Sequence, residues 1–203
     1  VQGTATYTIT PTAGSCAGTP VVVIVTVNPL PDATASNQTI CSGATTGIAI
    51  TTPNLVAGTT YTWIVQSNPG GVTGATAGSG ATIAQTLVNP TNLQQTVVYR
   101  ITPRSGAGCD GPTFDVNAVV DPTPNVSTTP ASQVICSGAS TNITITNPNA
   151  VAGTTFSWTV VQAGVTGAAA GSGASIAQAL STTVAVQGTA TYTITPTAGS
   201  CAG

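Results

Sequence analysis

The sequence predicts an all-β protein made of tandem antiparallel β-sandwich domains. Three observations carry this. First, Thr, Val and Ile dominate short segments bounded by Gly, Pro and Asn, the residue usage of strands and turns. Second, helical periodicity is weak. The Ala-rich run 168–180 spaces Ile176 and Leu180 like a helix, but Gly171 and Gly173 interrupt it. Third, the chain repeats itself. Residues 1–18, VQGTATYTITPTAGSCAG, recur letter for letter at 186–203, a displacement of 185 positions.

A looser repeat lies inside that period. ICSG occurs at 40–43 and at 135–138, and AITTPNLVAGTTYTW (49–63) matches TITNPNAVAGTTFSW (144–158). AGSGATIAQTL (77–87) matches AGSGASIAQAL (170–180), and VVYRITP (97–103) matches ATYTITP at 5–11 and 190–196. Two units share the 185-residue period, so each has about 93 residues, the size of a whole domain rather than of a solenoid repeat. Residues 1–29 read as the C-terminal strands of a preceding sandwich, 30–122 as a complete one, and 123–203 as one lacking its final strand. The joints, NPLPD (28–32) and DPTPN (121–125), are short and Pro-rich, so neighbouring domains are expected to be held semi-rigidly.

Within the complete unit, strands are expected near 33–40, 46–52, 59–66, 81–88, 96–103 and 113–120, with a short extra one near 71–77. Period-two alternation puts Tyr61, Trp63 and Val65 on one face of their strand, and Val97, Tyr99 and Ile101 on one face of theirs. With one Trp per unit, Trp63, Trp158, Tyr99 and Tyr192 are the expected core aromatics. Gly74, Gly78 and Gly80 read as a turn, because no Lys follows them as in a phosphate-cradling loop.

Charge excludes most chemistry. The 203 residues include two Arg and four Asp, and no Lys, Glu or His. The net charge of −2 offers no basic footprint for nucleic acid. No nucleophile–base pair can be assembled, so no enzyme, catalytic residue or cofactor is expected. Asp110, Asp115 and Asp121 are the candidate calcium ligands, but unit 123–203 has no carboxylate side chain, so a repeated calcium site is not expected. The longest apolar run, Val21, Val22, Val23, Ile24 and Val25, is far short of a membrane-spanning helix.

ICSG, a strand ending in Trp, then I-A-Q-x-L, Y-x-I-T-P, a Cys and a Val-rich strand together resemble the PKD-like, Ig-like repeats of Bacteroidetes cell-surface proteins. That resemblance covers essentially the whole chain. It implies an Ig-like sandwich in an array belonging to a large secreted adhesin or filament, including those linked to gliding motility. The W-D-F-G-D-G motif of ordinary PKD domains is absent: Ile64 and Val65 follow Trp63, and Thr159 and Val160 follow Trp158.

Each full unit has one early and one late Cys, so Cys41 is expected to pair with Cys109 and Cys136 with Cys201. Cys16 is then the late Cys of a preceding unit, unpaired here. Each bridge would tie the corner before the second strand to the loop before the last, at one end of a sandwich. Without C-x-x-C or His, zinc does not fit these cysteines. Disulfides imply an extracellular setting.

Assembly follows from the missing strand. Segment 19–27 is a final strand without its domain, and 123–203 is a domain without its final strand. Left in water, Val21–Val25 would present an aggregation-prone edge. Either the fragment is a window on a continuous array, or each copy donates 19–27 to a neighbour. The expected partners are therefore identical repeats, or copies of the chain, joined head to tail in a structural cell-surface stalk. The other function is a glycan-binding module within such an array, with the aromatics as a sugar platform. The loops, mostly Gly, Ala, Ser and Thr, show no enrichment for it.

Overall fold

The computed structural model describes residues 2–203 and, among them, contains strands, bridges and turns but no helix. The first sandwich has a five-stranded sheet in the order Gln38–Cys41, Phe114–Asp121, Gln95–Arg104, Thr60–Ser67, Gly78–Ser79. All its pairings are antiparallel except one: Gln38–Cys41 runs parallel to Phe114–Asp121, from Gln38 opposite Ala118 to Cys41 opposite Asp121. Alternation decides which side chains face inward. Tyr61, Trp63, Val97, Tyr99, Ile101, Val116, Ala118 and Val120 are all buried, while the residues between them are exposed or half-buried. They pack against Ile48, Ile50, Val72, Ile83 and Leu87 of the facing layer.

That facing layer is less regular than the sequence suggests. Where full strands are expected at 46–52 and 81–88, only Ile48–Ala49 pairs with Thr82–Ile83, and isolated bridges join Thr45 to Thr86 and Thr34 to Thr51. A side chain stands in for the ladder. The buried Thr46 hydroxyl donates to Ile83 O at 2.8 Å and accepts from Gln85 N at 2.9 Å. Thr141 repeats this with Ile176 O and Gln178 N, both at 2.9 Å. Near 71–77 there is one bridge, Thr73 to Val88. The run 168–180 is extended, with strands Gly171–Ser172 and Ser175–Ile176.

In the second sandwich one sheet runs Gly171–Ser172, Thr155–Ala163, Thr189–Ala198, Cys201–Ala202, and the other runs Ser127–Thr129, Ile143–Thr146, Ser175–Ile176. Its fully formed core is small: Ile145, Trp158 and Ile176, with Phe156, Tyr192 and Ile194 only partly buried around them. The cause is local. Among the described residues no strand occupies the place that Phe114–Asp121 takes in the first sandwich, so nothing supplies the counterparts of Val116, Ala118 and Val120.

Residues 3–27 form a hairpin in which Gly3–Ile9 pairs with Val21–Val27, and every residue of both strands is exposed. Its register matches that of the last two strands of the first sandwich. Tyr7 faces Val23 as Tyr99 faces Val116, and Ile9 faces Val21 as Ile101 faces Phe114.

Candidate functional site

Two places stand out: the joint between the sandwiches and the open edge of the second one. The cysteines define the joint. The structure bonds Cys41 to Cys201, with Cα atoms 5.5 Å apart at a sequence separation of 160. Cys109, Cys136 and Cys16 are free. The expected bridges Cys41–Cys109 and Cys136–Cys201 are therefore replaced by one that crosses from one sandwich to the next.

The physical reason is the parallel strand. Cys41 ends a strand that runs alongside Phe114–Asp121, so it sits beside Asp121, at the pole where the chain leaves the first sandwich; Ser42 N also donates to Asp121 O at 2.8 Å. Cys109 lies in the turn before Phe114, at the opposite pole, where Ser105 N donates to Cys109 O at 2.9 Å. The eight-residue strand Phe114–Asp121 separates the two poles by about 23 Å at a strand's rise per residue. A disulfide needs Cα atoms within about 7 Å. Cys201 occupies in the second sandwich the place of Cys109 in the first, at the pole facing the joint, and so reaches Cys41.

Other contacts seal the joint. Asn149 Oδ1 accepts from Asn125 N at 2.9 Å and its Nδ2 donates to Thr123 O at 2.9 Å, clamping the linker. Asn92 Nδ2 of the first sandwich donates to Ala150 O of the second at 3.3 Å. Val151 is only 5% exposed, although its counterpart Val56, at the far pole of the first sandwich, is half-buried. The Pro-rich linker is thus pinned by side chains as well as by its own fixed φ angles.

The open edge is a groove of about 480 Å³ between segment 131–137 and the residues around Thr189–Ile194. Ile143, Ile176, Leu180, Tyr192 and Ile194 form its apolar floor, and the free thiol Cys136 stands in its wall. The matching groove in the first sandwich is filled by Phe114–Asp121, which pairs with Gln38–Cys41 on one side and Gln95–Arg104 on the other. Filling changes burial. Tyr99, Ile101 and Leu87 are completely buried, whereas Tyr192, Ile194 and Leu180 are half-buried.

The same polar clamp holds the Trp strand in place in both modules. Gln85 Oε1 accepts from the Tyr99 hydroxyl at 2.7 Å and from Thr76 N at 3.0 Å, while its Nε2 donates to Thr76 O at 2.8 Å. Trp63 Nε1 donates to the same carbonyl at 3.2 Å. Gln178 repeats the set with Tyr192, at 2.8 Å, and with Ala169, on which Trp158 Nε1 also closes at 3.1 Å. Burial pushes the Tyr99 phenol up to about 12 and raises that of Tyr192.

A PKD-like domain profile matches residues 38–124 and 133–203, more than half of the chain. The chain belongs to the PKD-like domain family. The all-β, Ig-like sandwich agrees with that family, and the I-A-Q-x-L and Y-x-I-T-P segments are its core clamp here: Gln85 with Tyr99, Gln178 with Tyr192. No curated protein matches the chain.

The remaining candidates fall elsewhere in the PKD-like modules. Trp63 and Trp158 are 6% and 7% exposed, so neither presents a sugar platform. Tyr7 is 57% exposed on the free hairpin. The candidate calcium ligands are dispersed. Asp115 holds Arg100 through two 2.8 Å contacts and is kept below the usual carboxylate range by that hydrogen bond; Asp110 pairs with Arg104 at 2.8 Å. Asp121 accepts from Gln94 at 2.6 Å. Among the described residues no His/Cys/Asp/Glu group could hold a metal ion.

Proposed function

We propose that this chain is a structural repeat of an extracellular cell-surface filament or adhesin stalk. Its PKD-like sandwiches are joined head to tail into a one-dimensional array. The observation that carries this is the match between the open groove and the free strand. Residues 188–194 are identical to residues 3–9, and Val21–Val27 already pairs with Gly3–Ile9 in the register that Phe114–Asp121 uses in the first sandwich. A strand of that sequence, supplied by the adjoining repeat, would face Tyr192 with Val23 and Ile194 with Val21, covering the half-buried floor. Seven consecutive exposed residues, Val21–Val27, give it a matching need for cover.

The joint supports the same function. A stalk must transmit orientation from module to module, and here a disulfide, a pinned linker and the buried Val151 all act at one interface. A disulfide between modules also fits an oxidising, extracellular location. With six charged residues in 203, four of them paired on the surface of the first sandwich, the array has few charges to keep its edges apart from neighbouring chains. The groove needs no glycan to explain it, because its lining is what a final strand covers in the complete module.

Electron microscopy of the native material tests the proposal. The expected result is long, uniform fibres with an axial repeat on the order of 70–90 Å, two sandwiches each built on strands of about 30 Å plus loops and joints. Isolated globular particles would overturn it.

A further inference from the structure

Five cysteines and one bond leave three thiols, and the geometry points to a single rule that places all of them. We propose that every joint of the array is closed by a disulfide between the early Cys of one module and the late Cys of the next. Cys41–Cys201 is one such bond, and Cys136 bonds the Cys109 of the next repeat. The two bond types then alternate along the array. This rests on the head-to-tail function proposed above.

The structure builds both half-sites twice. At the pole carrying the late Cys, Gly203 N donates to Pro196 O at 3.0 Å, and Gly111 N donates to Pro103 O at 2.9 Å. A methyl group on Gly203 would collide with Pro124 O, and one on Gly111 with Pro31 O, so the linker lies against the cysteine loop in both modules. Asn54 binds Asp32 N at 3.1 Å and Leu30 O at 2.9 Å, as Asn149 binds Asn125 and Thr123 at the bonded joint. The early half-site repeats as well. Ala44 N donates to Cys41 O at 3.0 Å and Ala139 N to Cys136 O at 3.0 Å, while Gly43 N and Gly138 N reach Leu87 O and Leu180 O at 2.8 and 2.7 Å.

Between the two late-Cys poles, the difference is the presence of a neighbour. Val151, at the occupied pole, is buried; at the unoccupied pole Val56 is half-buried, and Leu55, which like Ala150 has a φ of 53°, is 83% exposed. That pole is a built docking surface around a free thiol, and its occupant is the early-Cys pole of another copy of this repeat. The 185-residue displacement fixes which cysteines meet: the module following 123–203 in the array is the counterpart of 30–122, whose late Cys is Cys109. Cys16, in a segment identical to that around Cys201, is by the same rule the partner of the Cys41 of the repeat before it.

Bond formation removes two protons and two electrons from two thiols. A small-molecule disulfide accepts them. The Cys136 thiolate attacks it, forming a mixed disulfide and releasing one thiol. The Cys109 thiolate of the next copy then displaces the second thiol and completes the bond.

The test uses the full 203-residue chain with Cys16→Ser, so that Cys109 and Cys136 are the remaining free thiols. The protein is concentrated with oxidised glutathione, its association is followed by light scattering, and linkages are mapped by non-reducing peptide mass spectrometry. The expected result is a ladder of covalent oligomers in which Cys109–Cys136 peptides far exceed the half share that random pairing gives. Adding Cys109→Ser or Cys136→Ser should abolish the ladder beyond dimers. Association with random pairing, or with both thiols left reduced, would overturn the disulfide rule and leave the head-to-tail function standing. Failure to associate at all, before or after oxidation, would overturn both.

Discussion

Gly78 lies against the indole of Trp63 so closely that a methyl group on its α-carbon would come within 2.6 Å of the ring. Gly171 and Trp158 repeat the arrangement at 2.7 Å. The glycine of the A-G-S-G segment is therefore a packing residue paired across the sheet with the Trp, not a turn residue. Gly78→Ala should cost about 1–3 kcal/mol, the range for overpacking a well-filled core, and should shift Trp63 fluorescence. Chemical denaturation followed by Trp emission checks it. Gly80→Ala would meet open space but at a φ of 131°, so its cost would come from the backbone with Trp63 emission unchanged.

The Gln clamp gives a graded prediction. In Gln85→Leu the Tyr99 hydroxyl, on a ring with no exposure, loses its acceptor and the Thr76 loop loses its anchor. The expected loss is about 1–3 kcal/mol, the cost of a buried polar group left unpaired. Gln178→Leu should cost less, because water reaches the half-buried Tyr192. Denaturation midpoints of the two variants, read in the same chain, distinguish the effects.

Alkaline stability should be set by Tyr99. Its phenol is raised from 10.0 to about 12 by burial, so folding favours the neutral form. A group raised in the folded state contributes stability that is complete below its unfolded value near 10 and is lost as pH rises through about 12. Spectrophotometric titration of phenolate absorbance should show Tyr99 ionising last, together with unfolding of the first sandwich. In Tyr99→Phe the alkaline loss of stability should flatten.

Opening the Cys41–Cys201 bond should free the joint rather than melt either module. Neither core contains both cysteines: Cys41 flanks one and Cys201 the other. In Cys41→Ser the denaturation of the first sandwich should stay near that of the parent, while small-angle scattering should report a broader distribution of end-to-end distances. A large drop in the first sandwich's stability would mean that the bridge acts within the module.

Much of the fold is legible because it depends on short-range patterns. Alternation in TTYTWIV and TVVYRITP identifies Tyr61, Trp63, Val97, Tyr99 and Ile101 as inward-facing, and each is buried. The cysteine pairing is not legible in that way. It depends on Gln38–Cys41 running parallel to a strand about eighty residues later, a direction no local pattern encodes. Antiparallel order would have brought Cys41 toward the Cys109 loop; the parallel pairing carries it to the opposite pole. The irregular facing layer was hidden for a related reason, since Thr46 and Thr141 look like ordinary strand threonines until their hydroxyls are seen replacing ladder bonds. A signal was present for the clamp, in the repeated Gln of I-A-Q-x-L, whose polarity between two inward apolar positions, Ile83 and Leu87, asks for a buried partner.

Strand closure of the second module is tested most directly by hydrogen exchange, comparing the dilute chain with the head-to-tail assembled protein. Thr189–Ile194 borders the open groove and pairs on its other side with Trp158–Ala163, and Val21–Val27 likewise has one strand partner, Gly3–Ile9. If the adjoining repeat supplies the final strand, amides in both segments, and in Gln133–Cys136 across the groove, should become strongly protected together on assembly. Assembled protein in which Thr189–Ile194 exchanges as fast as in the dilute chain would contradict it.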